Sequence, residues 1–124
     1  MILYQTEDGL VKLDVRLENE TMWLTQAAMA ELFQTTQQNI SLHIQNIYEE
    51  AELDPATTHK DYLLVRREGD RDVRREVAHY NLDMIISVGY RVKSKRGTQF
   101  RIWATRVLHD HVRKGYSVNQ RRLR

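Results

Sequence analysis

Apolar and polar residues alternate from Leu10 to Leu17. Leu13, Val15 and Leu17 fall on one face, and Lys12, Asp14 and Arg16 on the other. A period of two marks a strand with one buried side. Residues 2–5 read as a shorter strand before it, with Asp8-Gly9 as the turn between them. Glu18-Asn19-Glu20 turns the chain again, into a third short strand over residues 21–24. The chain is therefore expected to open as a small β-meander.

From Thr25 the period changes to that of a helix. Thr25 offers a capping hydroxyl, and residues 26–33 are rich in strong helix formers. Gln34-Thr35 interrupts the run. Thr35 or Thr36 then caps a longer helix, about 36–50, with Ile40, Ile44 and Ile47 at spacings of four and three. Residues 51–60, with the lone proline Pro55, form a connector. Two extended stretches, 62–66 and 73–80, flank Glu68-Gly69-Asp70 and predict a β-hairpin. Asn81 caps a helix over 82–88 that turns Leu82, Ile85 and Ile86 inward, and Gly89 is expected to stop it. Residues 90–97 read as a basic connector. Thr98 is expected to cap a last helix, about 98–114, closed by Gly115.

Two short helices at about 25–48 meet the demands of a helix-turn-helix, whose second helix lies in the DNA major groove. Ala30 is small where the helices cross, and Met29, Phe33 and Ile40 fill the wedge between them. The exposed side of the second helix offers Thr36, Gln37, Gln38, Asn39, Ser41 and Gln45. Gln and Asn bond the N6 and N7 edge of adenine in pairs. Two features depart from the pattern. The turn position commonly filled by glycine is Gln34, which would be strained in a left-handed backbone. Residues 25–50 also contain no Lys or Arg, although phosphate contacts supply most of the affinity for DNA.

The charge distribution suggests where those contacts lie. Net charge is only +2, yet residues 1–60 hold three Lys/Arg against ten Asp/Glu, and residues 61–124 hold sixteen against seven. A basic half on a nearly neutral chain suits a polyanionic partner, or else complements the acidic half within one molecule or across a homodimer. Arg66, Arg67, Arg71, Arg74 and Arg75 crowd the hairpin, as in the wing of a winged helix, which grips phosphates or the minor groove. Glu68, Asp70, Asp72 and Glu76 are available to pair with them. A second cluster, Arg91, Lys93, Lys95, Arg96, Thr98 and Arg101, surrounds the expected start of the last helix at Gly97-Thr98. Free N–H groups there favour a phosphate.

Several segments also carry a family resemblance. Tyr80-Asn81-Leu82-Asp83, Ser87-Val88-Gly89-Tyr90-Arg91-Val92 and Ser94-Lys95-Arg96-Gly97-Thr98-Gln99-Phe100-Arg101-Ile102-Trp103-Ala104 resemble the RhuM family of bacterial virulence-associated proteins. Residues 4–9, 23–26 and 38–41 match the same family. The segment around Arg96-Gly97-Thr98 is also similar to the N-terminal domains of phage antirepressor-like proteins, which are associated with DNA binding. The resemblance implies a bacterial, mobile-element-linked setting and a transcriptional or DNA-associated role. It supplies no catalytic residues. Residues 1–115 are expected to form one winged helix-turn-helix-like domain, and 116–124 a basic tail or, since the resemblance implies longer relatives, the start of a linker to a further region such as a toxin or C-terminal partner domain.

Other chemistries find little support. There is no cysteine, which excludes a disulfide framework and cysteine-ligated zinc and fits a reducing cytoplasm. His109-Asp110-His111 lacks the four-residue spacing of a helical zinc pair. No phosphate loop, serine elbow, signal peptide or membrane-length apolar run is present. The expectation is an α+β winged helix-turn-helix that binds double-stranded DNA sequence-specifically and regulates transcription, without enzymatic activity, cofactor or metal. The alternative is a protein-interaction or antitoxin-like module that uses the helix pair as scaffold.

Overall fold

In the computed structural model, which describes the backbone of residues 2–122 and the side chains of residues 2–111, the expected meander is present. It comprises β1 (Ile2–Gln5), β2 (Lys12–Glu18) and β3 (Thr21–Thr25). Leu13 and Val15 are buried while Lys12 and Asp14 are exposed, as the period of two requires. The two-residue loop Asn19-Glu20 has positive φ at both positions, the pattern of a type I′ hairpin turn.

Two helices joined by a three-residue turn follow, α1 (Gln26–Phe33) and α2 (Gln37–Glu49). Thr25 Oγ1 accepts the Ala28 N–H at 3.1 Å and Thr36 Oγ1 accepts that of Asn39 at 3.1 Å, so Thr36 rather than Thr35 is the second cap. Ile40, Ile44 and Ile47 are buried as their spacing demands. Gln34 does take the left-handed conformation, with φ 54° and ψ 51°. That costs a non-glycine residue about 1–2 kcal/mol, partly offset by its Nε2 donating to the Glu31 carbonyl at 2.7 Å.

The connector contains one helical turn, α3 (Pro55–Thr58), capped by Asp54. The hairpin comprises β4 (His59–Glu68) and β5 (Arg71–Asn81), longer than the expected stretches at both ends. Gly69 alone of its two loop residues has positive φ, the sign pattern of a type II′ turn. The five strands form one antiparallel sheet in the order β1-β2-β3-β5-β4. The hairpin is therefore built into the meander: Trp23, Leu24 and Thr25 of β3 pair with Asn81, Tyr80 and His79 of β5. Beyond His79, β5 loses this neighbour because the chain has turned into α1, so the rest of the hairpin projects as a two-stranded ribbon.

One face of the sheet packs on the helices. Met22, Leu24, Met29, Leu32, Ile40 and Ile47 bury there with Met84, Ile85 and Phe100. On the opposite face Trp23, Tyr62 and His79 form an edge-on aromatic cluster, closed by the Arg16 guanidinium 4.1 Å from the Tyr62 ring centre. Burial, with the Glu18 carboxylate nearby, pushes the Tyr62 phenol up to about 12.

Three expectations for the last helices are corrected. First, α4 (Leu82–Arg91) runs through Gly89, and its buried face is Met84, Ile85 and Val88, with Leu82 and Ile86 only half-buried. Second, α5 (Lys95–Arg122) starts before Thr98, and Ser94 Oγ accepts the Arg96 N–H at 3.2 Å. Third, α5 continues through Gly115. The expected tail 116–124 is helical to Arg122, and its side chains lie outside the described residues. The reason for the first two is packing. Gly89 and Gly97 face each other where α4 crosses α5, and a Cβ on Gly97 would sit 3.2 Å from Gly89 Cα and 3.4 Å from the Phe33 ring. Both glycines let two backbones approach rather than ending or opening a helix. We expect Gly97→Val to push the helices apart and to destabilise the fold by about 1–3 kcal/mol, read as a lower urea midpoint with unchanged slope.

Candidate nucleic-acid interface

The polar face of α2 begins at its capped N-terminus. Gln37, Gln38, Ser41 and Gln45 are exposed there, with Thr36 beside them and Asn39 half-buried. Thr36 and Asn39 have local duties. The Thr36 hydroxyl caps the helix, and Asn39 Nδ2 donates to Thr35 Oγ1 at 3.0 Å. Gln45 Nε2 donates to Glu49 Oε1 at 3.2 Å, an exposed bond one turn apart that is weak enough to exchange. Thr36, Gln38, Asn39, Ser41 and Gln45 line one open groove with Leu42, which is 52% exposed. The sequence pattern did not single out Leu42. Its position two residues past Ile40, off the buried 40/44/47 stripe, is the signal that was available.

A second cleft joins α2 to the ribbon. Thr25, Gln26, Ala27 and Gln37 line one wall, and Arg66, Glu76, Val77 and Ala78 the other. This brings Gln37 and Arg66 together from distant parts of the chain. The remaining ribbon arginines divide between its faces. Arg66, Arg71 and Arg75 share one face through the pairs Arg66↔Val73, Glu68↔Arg71 and Leu64↔Arg75, while Arg67 and Arg74 lie on the other. Arg75 grips Glu68 with two bonds of 3.0 Å, which holds the Glu68 carboxyl below its usual range. Arg67 sits 3.6 Å from Asp72. Arg66, Arg71 and Arg74 have no ion pair among the described residues.

The 91–101 cluster is arranged differently from the expected phosphate cradle. Arg91 reaches Glu50 at 2.8 Å and Glu52 at 3.1 Å, which tethers α4 to the C-terminal end of α2, the far end from Gln37. Arg96 Nη2 bonds Asp8 at 2.6 Å, and its Nη1 reaches the Leu32 carbonyl at 3.4 Å. Gly97 is buried at the helix crossing. Lys93, Lys95, Thr98 and Arg101 lie outside these ion pairs, and all four are exposed.

Comparison with known families matches the Virulence protein RhuM family over residues 57–124, more than half of the chain. The chain belongs to this family. No curated protein and no solved structure matches it. The segment that carries the RhuM match spans the ribbon, α4 and α5, whereas α1 and α2 precede it. Among the described residues no helix is long and apolar enough to cross a membrane.

In this RhuM-family chain Arg96 makes a measurable structural contact with the β1–β2 loop. Asp8 accepts from the Thr6 hydroxyl at 2.6 Å, from the Leu10 N–H at 3.0 Å and from Arg96. These bonds, Thr6 first, pull its carboxyl down to about 2 from 3.8. A depressed carboxyl stabilises the fold above its unfolded value, and that contribution fades as pH falls through the folded one. The stability difference between wild type and Asp8→Asn should therefore be constant above pH 3.8 and shrink towards pH 2. Urea unfolding across that range checks it. A difference unchanged down to pH 2 contradicts it.

Proposed function

We propose that this protein binds double-stranded DNA sequence-specifically as a winged helix-turn-helix and thereby regulates transcription. In this reading α2 enters the major groove and the ribbon lies along the phosphate backbone or minor groove. The observation that carries it is the cleft shared by Gln37 and Arg66. A helix with base-reading groups and no cation of its own is there continuous with a ribbon that carries cations. Gln37, Gln38 and Ser41 present their side chains on the reading face. Arg66, Arg71 and Arg74 are available to meet phosphates. The exposed pairs of Arg67 and Arg75 are worth only about 0–1 kcal/mol each and can be exchanged for a phosphate array. Arg91 and Arg96 serve the fold in this reading.

Titration against duplex pools at several salt concentrations tests the proposal. Log affinity should fall linearly with log salt. Arg66→Ala and Arg74→Ala should each flatten the slope by about 0.9, the share of one neutralised phosphate. Arg91→Ala should leave the slope unchanged. Gln38→Ala should relax sequence choice at one position, at a cost of about 1–3 kcal/mol. No duplex binding at low salt contradicts the proposal. It would favour the second reading, a protein-interaction module, for which exposed Leu42 amid the polar face of α2 is the supporting observation.

A further inference from the structure

β4 forms one edge of the sheet, and its ladder with β5 runs unbroken over ten residue pairs from His59 to Glu68. The two-residue loop sets the Glu68 carbonyl facing the Arg71 N–H. Backbone groups then alternate along an antiparallel strand. Lys60, Tyr62, Leu64, Arg66 and Glu68 turn theirs towards β5, and Asp61, Leu63, Val65 and Arg67 turn theirs outward. Long free edges in natural proteins are commonly blunted by proline, a bulge or a central charge. β4 has no bulge or proline, and its centre is apolar, with Leu63 55% and Val65 64% exposed.

A second copy laid antiparallel along this edge must match outward-facing residues to outward-facing residues. Three central registers satisfy that demand. Leu63 opposite itself sets Lys60 against Arg66. Val65 opposite itself sets Leu63 against Arg67 and Leu64 against Arg66. Leu63 opposite Val65, with Leu64 on the two-fold axis, sets Tyr62 against Arg66, Asp61 against Arg67 and Lys60 against Glu68. In this last register Lys60, Asp61, Arg67 and Glu68 each meet an opposite charge, and Arg66 lies opposite Tyr62, a buried ring already flanked by Arg16 and Lys60. Each new pair also joins an existing one without reversing its sign pattern, because Arg67 already faces Asp72 and Glu68 already faces Arg75.

We propose that this chain forms a two-fold homodimer by antiparallel pairing of β4 with β4 of a second copy, centred on Leu64. The pairing joins two five-stranded sheets into one and makes roughly eight inter-chain backbone hydrogen bonds. It uses the edge of β4 rather than α2, and its readouts need no DNA, but it shares Arg66 and Arg67 with the DNA reading.

The chain has no cysteine, so single-cysteine variants report the register directly. Leu64 pairs with itself across a non-hydrogen-bonded site, where Cα atoms lie about 4.5 Å apart, within disulfide reach. Leu63 meets its own copy only diagonally, at about 7–8 Å. Under mild oxidation Leu64→Cys should form covalent dimer roughly tenfold or more faster than Leu63→Cys. In sedimentation equilibrium Asp61→Arg and Arg67→Asp should each weaken the dimer roughly tenfold or more, and the double variant should recover wild-type association. A wild-type chain that stays monomeric into the submillimolar range overturns the proposal. So does equal cross-linking at both positions, or a double variant no stronger than the singles.

Discussion

Thr25 holds the architecture together at one residue. It is the last residue of β3 and pairs with His79 of β5. Its hydroxyl also caps α1 by accepting the Ala28 N–H at 3.1 Å. Strand and helix therefore meet without a loop, and the hinge that a loop would supply is absent. The consequence is that the base of the ribbon is fixed against the start of α1, and through the three-residue turn against the N-terminus of α2. Gln37 and Arg66 share a cleft for this reason, although they are distant in the chain. Because β3 ends where α1 begins, β5 loses its inner neighbour at the same point, and the ribbon must project.

The electrostatics follow from the same frame. The basic half of the chain divides into two populations. Arg91 and Arg96 are bonded to Glu50, Glu52 and Asp8 of the acidic half, so part of the charge asymmetry is internal complementarity. Arg66, Arg71 and Arg74 on the ribbon are not so engaged among the described residues. Lys93, Lys95 and Arg101 are likewise exposed and outside the ion pairs among the described residues, so the case for a polyanionic partner rests on the ribbon with the cleft beside it and on these three. Exposure separates the two locations: the Arg96 side chain is 18% exposed and that of Arg91 25%, whereas even the ion-paired ribbon arginines Arg75 and Arg67 are 58% and 68% exposed.

Most elements were legible in the sequence because their signals are local. The alternation at 12–17, the caps Thr25 and Asn81, and the isoleucine stripe of α2 each depend on neighbours within one or two turns. The left-handed Gln34 was legible for the same reason, because it occupies the position where glycine is commonly found. Gly89 and Gly97 were misread because a glycine that ends a helix and one that admits a crossing backbone look alike in a single sequence. The choice is made by the backbone of the opposing glycine together with the ring of Phe33, which lies far upstream of Gly89. The fate of Arg91 and Arg96 was hidden similarly, since their partners lie 39 to 88 residues away. The division of the ribbon arginines between two faces needed only a period of two and was available from the sequence.

Amide hydrogen exchange of the free protein and of the protein saturated with a selected duplex at low salt compares these surfaces directly. If α2 and the ribbon form one DNA-contacting face, protection should rise over residues 36–45 and 64–76 together, while residues 89–97 at the α4–α5 crossing stay unchanged. Protection centred on residues 91–101, or on the ribbon with none on α2, would contradict that account.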